Sequence, residues 1–170
     1  MPSTIKYVCS KCLLSGSSFR SWGHFSYKVG DQLLPLDRVT GICNDCNTIT
    51  PVEILPSEHE YSTIISKSLS NGFRPESLDN KKLRLYALSD RRSLARCLNC
   101  GGHDFEILPN VNYDRERERS QTPIRTELIH KNCGGRFYGN PFGPNLFMGD
   151  RLPKRYFSIE GIEINESVEL

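Results

Sequence analysis

The sequence predicts a small β-rich α+β protein, with two lobes of short antiparallel strands joined by a helical segment. Three observations lead there. The chain has 170 residues and only 37% hydrophobic side chains, so any core is thin, and small thin-cored domains depend on cross-links. Six of its seven cysteines stand in Cys-x-x-Cys pairs, at 9 and 12, 43 and 46, and 97 and 100, and the seventh, Cys133, follows His130 at the same spacing. Short strand-like runs bounded by Gly, Pro and Asn lie between these pairs.

The N-terminal lobe is expected over residues 1–56. "TIKYV" reads as a strand leading into Cys9 and Cys12. The stretch to Cys43 carries aromatics, Gly and Pro, as short strands and turns do. "NTITPVEIL" follows the second pair as a strand with a Pro near its start. Trp22, Phe25 and Tyr27 belong to the small core of this lobe, with stacking on nucleic-acid bases as the competing role.

A helical bridge is expected over 57–94. Ser57-Glu58-His59-Glu60 is a capping-box pattern ahead of "YSTIISKSLS", which ends at Asn71-Gly72. A second helix falls within "PESLDNKKLRLYALSD", beginning near Pro75 and presenting Leu78, Leu83, Leu85 and Leu88. Basic residues concentrate in and just beyond it. Lys81, Lys82, Arg84, Arg91, Arg92 and Arg96 are the candidate phosphate contacts if the partner is a nucleic acid; otherwise they form one exposed helix face.

The C-terminal lobe is expected over 95–170. "FEILP" and "IRTELIH" read as strands, and the charge-alternating "NYDRERERSQTP" between them as a solvated hairpin tip. "GNPFGPNLFMGDRLPK" is irregular, "RYFSIEGIEI" closes as a strand, and the acidic end frays.

An approximate repeat links the two ends of the chain. Cys97 and Cys100 follow Cys9 and Cys12 by 88 residues, and His130 and Cys133 follow Cys43 and Cys46 by 87. The repeat places His130 where the first copy has a cysteine. Tetrahedral zinc takes four thiolate or imidazole ligands, and a Cys-x-x-Cys turn presents two of them to one ion. Grouped along the chain, the first set is Cys9, Cys12, Cys43 and Cys46. The second is Cys97, Cys100, His130 and Cys133, with His103 as the rival to His130. His24 and His59 lack cysteine neighbours at this spacing. Two Zn2+ per chain follow.

The residue after the second ligand of such a turn often needs positive φ. Gly101 and Gly134 suit this, Asn47 tolerates it, and Leu13 fits it least.

Four good ligands per set leave no open position, so an enzyme is not expected. An odd number of cysteines argues against a disulfide framework, and the sequence shows no signal-peptide or membrane-spanning run. A reducing, cytoplasmic setting is expected. Net charge is +2, too small to imply a nucleic-acid partner by itself.

"YVCSKC…GICNDCNTI" and "ARCLNCGG…LIHKNCGGRFY" resemble zinc ribbons, small β-hairpin modules common in transcription, translation and replication proteins. The second half is also similar to small, largely uncharacterised bacterial zinc-ribbon proteins. Those carry Arg-Cys-x-x-Cys-Gly, His-x-x-Cys-Gly-Gly and an aromatic C-terminal strand ending in Gly, as "RYFSIEG" does here. The resemblance implies two zinc-ribbon-like lobes and a metal but no defined activity. The expected role is a zinc-stabilised adaptor for a protein partner. The first alternative is a nucleic-acid binder using the 74–100 segment, and the second a rubredoxin-like iron electron carrier. Rubredoxins carry Gly after the second Cys of each pair, which the first set lacks at both.

Overall fold

The computed structural model describes residues 4–63, 79–111, 122–141 and 152–164. Eleven strands among them form three sheets. The first sheet contains β1 (Ile5–Cys9), β2 (Ser15–Ser17), β8 (Ile124–Ile129) and β9 (Arg136–Pro141), in the order β2-β1-β9-β8. The second contains β3 (His24–Val29), β4 (Gln32–Pro35), β10 (Lys154–Phe157) and β11 (Glu163–Ile164), in the order β11-β10-β3-β4. The third contains β5 (Arg38–Cys43), β6 (Thr48–Glu53) and β7 (Phe105–Ile107), in the order β6-β5-β7.

Every sheet draws strands from both sides of the expected 57–94 bridge, so the predicted 1–56 and 95–170 lobes interpenetrate. β1 aligns with β9 over five residue pairs, from Ile5↔Pro141 to Cys9↔Phe137. The alternation of Ile5, Tyr7 and Cys9 with Lys6 and Val8 drives this pairing. The odd positions are buried, and period-two patterning turns one face of a strand inward. Phe137 and Pro141 complete the same face from β9. Pairing is antiparallel except between β3 and β10, which run parallel from His24↔Lys154 to Tyr27↔Phe157; a long crossover makes that direction available.

Two apolar clusters result. Ile5, Tyr7, Cys9, Ile42, Ile49, Leu108 and Phe137 fill the space between the first and third sheets. Phe25, Tyr27, Leu34, Leu36, Leu88, Leu98 and Phe157 join the second sheet to the helix and to one cysteine turn. Phe25 and Tyr27 are therefore core residues with no face free for a base, while Trp22 packs beside Phe19 at 5.4 Å.

Two helices are described within the 57–94 segment, and residues 90–94 are non-helical. Helix α1 covers residues 58–63, and its capping box forms: Glu60 Oε2 accepts from Ser57 N at 2.8 Å. Helix α2 spans Asn80–Ser89 with Asp79 as N-cap, accepting from Lys82 N at 2.8 Å. Leu85 and Leu88 face the core and Leu83 lies at its edge. Pro75, Leu78 and the Asn71-Gly72 stop lie outside the described residues, as do the 114–119 charge run, most of the irregular 139–154 stretch and the acidic end. The strands flanking the charge run do not form a hairpin: β7 pairs with β5, and β8 with β9.

Pro51 sits in β6 without breaking it. Its carbonyl accepts from Leu98 N at 3.0 Å on the strand's far side, where Cys97 bridges Val52. An edge position spares the missing N–H.

Candidate metal centres

Each cysteine turn hangs from a strand end. Cys9 closes β1 and Cys43 closes β5. Residues 130–133 link β8 to β9, and Cys97 pairs with Val52 of β6. Strand pairing then decides which turns meet, and it overturns the expected grouping. Site A consists of Cys9, Cys12, His130 and Cys133, and site B of Cys43, Cys46, Cys97 and Cys100. Within each site all four ligand atoms lie within 4.8 Å of one another. The same eight residues are used as predicted, but the partners are exchanged. β1 lies on β9, which carries Cys9 and Cys12 to the 130–133 turn. β6 lies along residues 96–98, which carries Cys97 to the 43–46 turn.

The 87–88-residue repeat survives this exchange. Cys9 N donates to Leu14 O and Cys97 N to Gly102 O, both at 2.8 Å and both five residues on. Ser10 N donates to Arg136 O (2.9 Å) and Leu98 N to Pro51 O (3.0 Å). Each site thus combines the first turn of one copy with the second turn of the other. The arrangement is an exchange of halves within one chain.

Ligand spacing fits a tetrahedral ion. Zinc with sulfur at ~2.3 Å and nitrogen at ~2.0 Å has S···S edges of ~3.8 Å and S···N edges of ~3.5 Å. In site A, Cys9 and Cys133 Sγ are 3.4 Å apart, and His130 Nδ1 lies 3.3 Å from Cys12 Sγ and 3.2 Å from Cys133 Sγ. In site B, Cys43 and Cys100 Sγ are 3.6 Å apart, and Cys46 and Cys97 Sγ 4.0 Å. Disulfide sulfurs lie ~2.05 Å apart, and all seven cysteines are free.

Amide hydrogens aim at the sulfurs. Gly102 N donates to Cys100 Sγ and Gly135 N to Cys133 Sγ, each at 3.4 Å, and Asn99 Nδ2 reaches Cys46 Sγ at 3.8 Å. Burial raises the Cys9 thiol pKa, but the Cys12 and Lys11 amides and contacts with Cys133 and His130 outweigh it and hold the thiol at about 6. Burial dominates at Cys97, pushed up to about 11, and raises Cys43 further.

His130 is 1% exposed, and its ring packs on Phe137 at 5.4 Å. Nδ1 faces the sulfurs while Nε2 meets Asn47 Oδ1 at 2.8 Å. His103 lies outside both sites, with Nδ1 3.0 Å from Ala95 O. Asn47 escaped the sequence reading as a contact of His130. Its position after Cys46 marked it as a turn residue only.

All four residues that follow a second ligand have positive φ: Leu13 (59°), Asn47 (49°), Gly101 (78°) and Gly134 (66°). Leu13 adopts this conformation against its side-chain preference and is 74% exposed, so little contact offsets the strain. Replacing it with glycine is expected to stabilise the metal-loaded protein by about 0.5–1 kcal/mol. Thermal denaturation reads this, and a lowered midpoint would show that the leucine side chain matters more than its backbone.

The candidate phosphate contacts divide. Arg84 is buried, pairs with Asp37 at 2.7 Å and donates to Ile54 O. Arg91 is bound to buried Glu53 at 2.6 and 2.7 Å. Arg96 donates to Glu160 O and Gly101 O. Lys81, Lys82 and Arg92 are exposed. Three of the six therefore hold the fold together, and the expected basic face is broken up.

Together these features define a small β-rich protein with two Cys/His clusters of metal-site form. No protein-family model, curated protein or solved structure matches the chain. The zinc-ribbon resemblance therefore rests on its motifs. No described helix is long and apolar enough to cross a membrane.

Proposed function

We propose that the chain is a non-enzymatic zinc protein: two structural Zn2+ ions lock its interleaved halves, and the locked surface serves as an adaptor for a protein partner in the cytoplasm. The carrying observation is the closure of both ligand sets, each with four donors at tetrahedral spacing. Three sulfurs with one imidazole in site A, and four sulfurs in site B, suit zinc, and a filled tetrahedron leaves no position for a reacting water. Seven free thiols agree with a reducing compartment.

Metal stabilisation of structural zinc sites is about 10–16 kcal/mol apparent, against a typical net domain stability of about 5–15 kcal/mol. The purified protein is expected to be colourless and to hold two zinc ions, and a strong chelator to abolish its cooperative thermal transition. Metal analysis, absorbance and calorimetry read all three. Iron colour would favour the electron-carrier reading, and an unchanged transition after complete metal removal would sink the structural role.

A protein partner is favoured over nucleic acid because Arg84, Arg91 and Arg96 are spent on internal contacts. Binding of DNA or RNA that weakens steeply with salt would reverse this preference.

A further inference from the structure

The two sites meet at Asn47. Asn47 directly follows Cys46, a ligand of site B, and its Oδ1 lies 2.8 Å from Nε2 of His130, a ligand of site A. The same oxygen accepts from Asn132 Nδ2 at 3.0 Å, inside the site A turn. A positive φ of 49° at Asn47 belongs to the site B turn. Around this contact, Lys131 of the site A turn meets Asp104 at 2.7 Å, and Asp104 also accepts from Asn44 Nδ2 at 3.1 Å.

We propose that Asn47 is a positioning residue for site A, coupling its metal affinity to the loading of site B. An imidazole that binds a metal through one nitrogen carries its proton on the other, and the acceptor facing that proton fixes tautomer and ring angle. Asn47 Oδ1 faces Nε2, so Nδ1 keeps its lone pair and points at the Cys12 and Cys133 sulfurs. Unlike an acceptor on an independent loop, this one is fixed by the Cys43–Cys46 turn. A metal in site B holds that turn, which holds Asn47, which holds His130. Linkage makes the effect reciprocal: loading site A strengthens site B by the same factor. The proposal rests on the metal-binding reading above.

Two substitutions separate the acceptor from the backbone. Asn47→Gly keeps the positive φ and removes the oxygen. Asn47→Asp keeps an oxygen acceptor at the same reach. Zinc affinity is measured by competition with a chromophoric chelator, and cadmium NMR assigns the sites, since three-sulfur and four-sulfur ligation give separate resonances. Asn47→Gly is expected to weaken site A roughly 10–100-fold and site B less, while Asn47→Asp restores site A. Cys46→Ser, which cripples site B, is expected to weaken site A too, and to do so less in the Asn47→Gly background. Unchanged site A affinity in Asn47→Gly overturns the proposal. So does failure of Asn47→Asp to restore site A, or a site A indifferent to Cys46→Ser. A wild-type chain that takes up no zinc or cadmium instead sinks the metal reading itself.

Discussion

A variant with Cys9, Cys12, His130 and Cys133 all changed to alanine is expected to keep one zinc ion per chain, bound by sulfur alone. Changing Cys9, Cys12, Cys43 and Cys46 instead is expected to leave none. The first variant deletes site A and spares site B entire; the second halves both sites, and two ligands do not hold a structural ion. Grouping along the chain requires the opposite outcome, one ion in the second variant and none in the first. Metal analysis of the purified variants decides, with cobalt substitution reporting the sulfur count of the ion that remains. The stability consequence is also large. Losing either ion forfeits about 10–16 kcal/mol apparent, and because each ion ties an N-terminal turn to a C-terminal one, both halves of the chain loosen.

Sequence distance misleads here for a quantifiable reason. Bringing Cys12 to Cys43 closes a span of 31 residues, whereas bringing it to His130 closes 118. Closure entropy grows only with the logarithm of length, so the longer span costs about 1 kcal/mol more. Burial of Ile5, Tyr7 and Phe137 where β1 meets β9 contributes about 1.5–3 kcal/mol for each side chain. Packing therefore outweighs proximity, and the knuckles go where their strands go.

Most of the local structure was legible. β1, β6, β7, β8 and β10, the Ser57 capping box, α2 and the αL residues Asn47, Gly101 and Gly134 all follow from patterns within about ten residues, whereas the positive φ of Leu13 does not. The ligand inventory was legible too, because His130 completes the repeat. What escaped depends on long-range pairing. β1 on β9, β3 beside β10 and Cys97 against Val52 join segments whose affinity shows only once both are folded. The charged contacts escaped for a related reason. Arg84, Arg91 and Arg96 look like a solvated basic run until Asp37, Glu53 and the 158–161 turn arrive from elsewhere. One signal was available: Glu53 interrupts the apolar strand "TPVEIL", and a carboxylate there requires a buried cation.

That cation is Arg91, and Glu53→Ala is expected to cost about 3–5 kcal/mol, a large share of any domain's stability. The Glu53 side chain is fully buried and that of Arg91 is 1% exposed. Besides two bonds from Arg91, the carboxylate accepts from the Tyr27 hydroxyl and from Arg96 N at 3.0 Å. Burial, reinforced by the nearby Glu53 charge, raises the Tyr27 pKa well above the usual phenol range, so its hydroxyl stays a donor. Arg91 also reaches Ser93 Oγ, which donates to Glu160. One carboxylate thus gathers β3, β6, the loop after α2 and the turn after β10. Removing it strands a guanidinium, a hydroxyl and an amide away from water. Because the deficit comes from the stranded charge, a second change should recover much of it: Glu53→Leu combined with Arg91→Met is expected to be more stable than Glu53→Ala alone. Urea denaturation of the zinc-loaded proteins measures both. If Glu53→Ala shifts the midpoint no more than an exposed-pair substitution does, worth about 0–1 kcal/mol, the network is not what binds these segments. If the double variant is no better than the single, the loss comes from packing and not from buried charge.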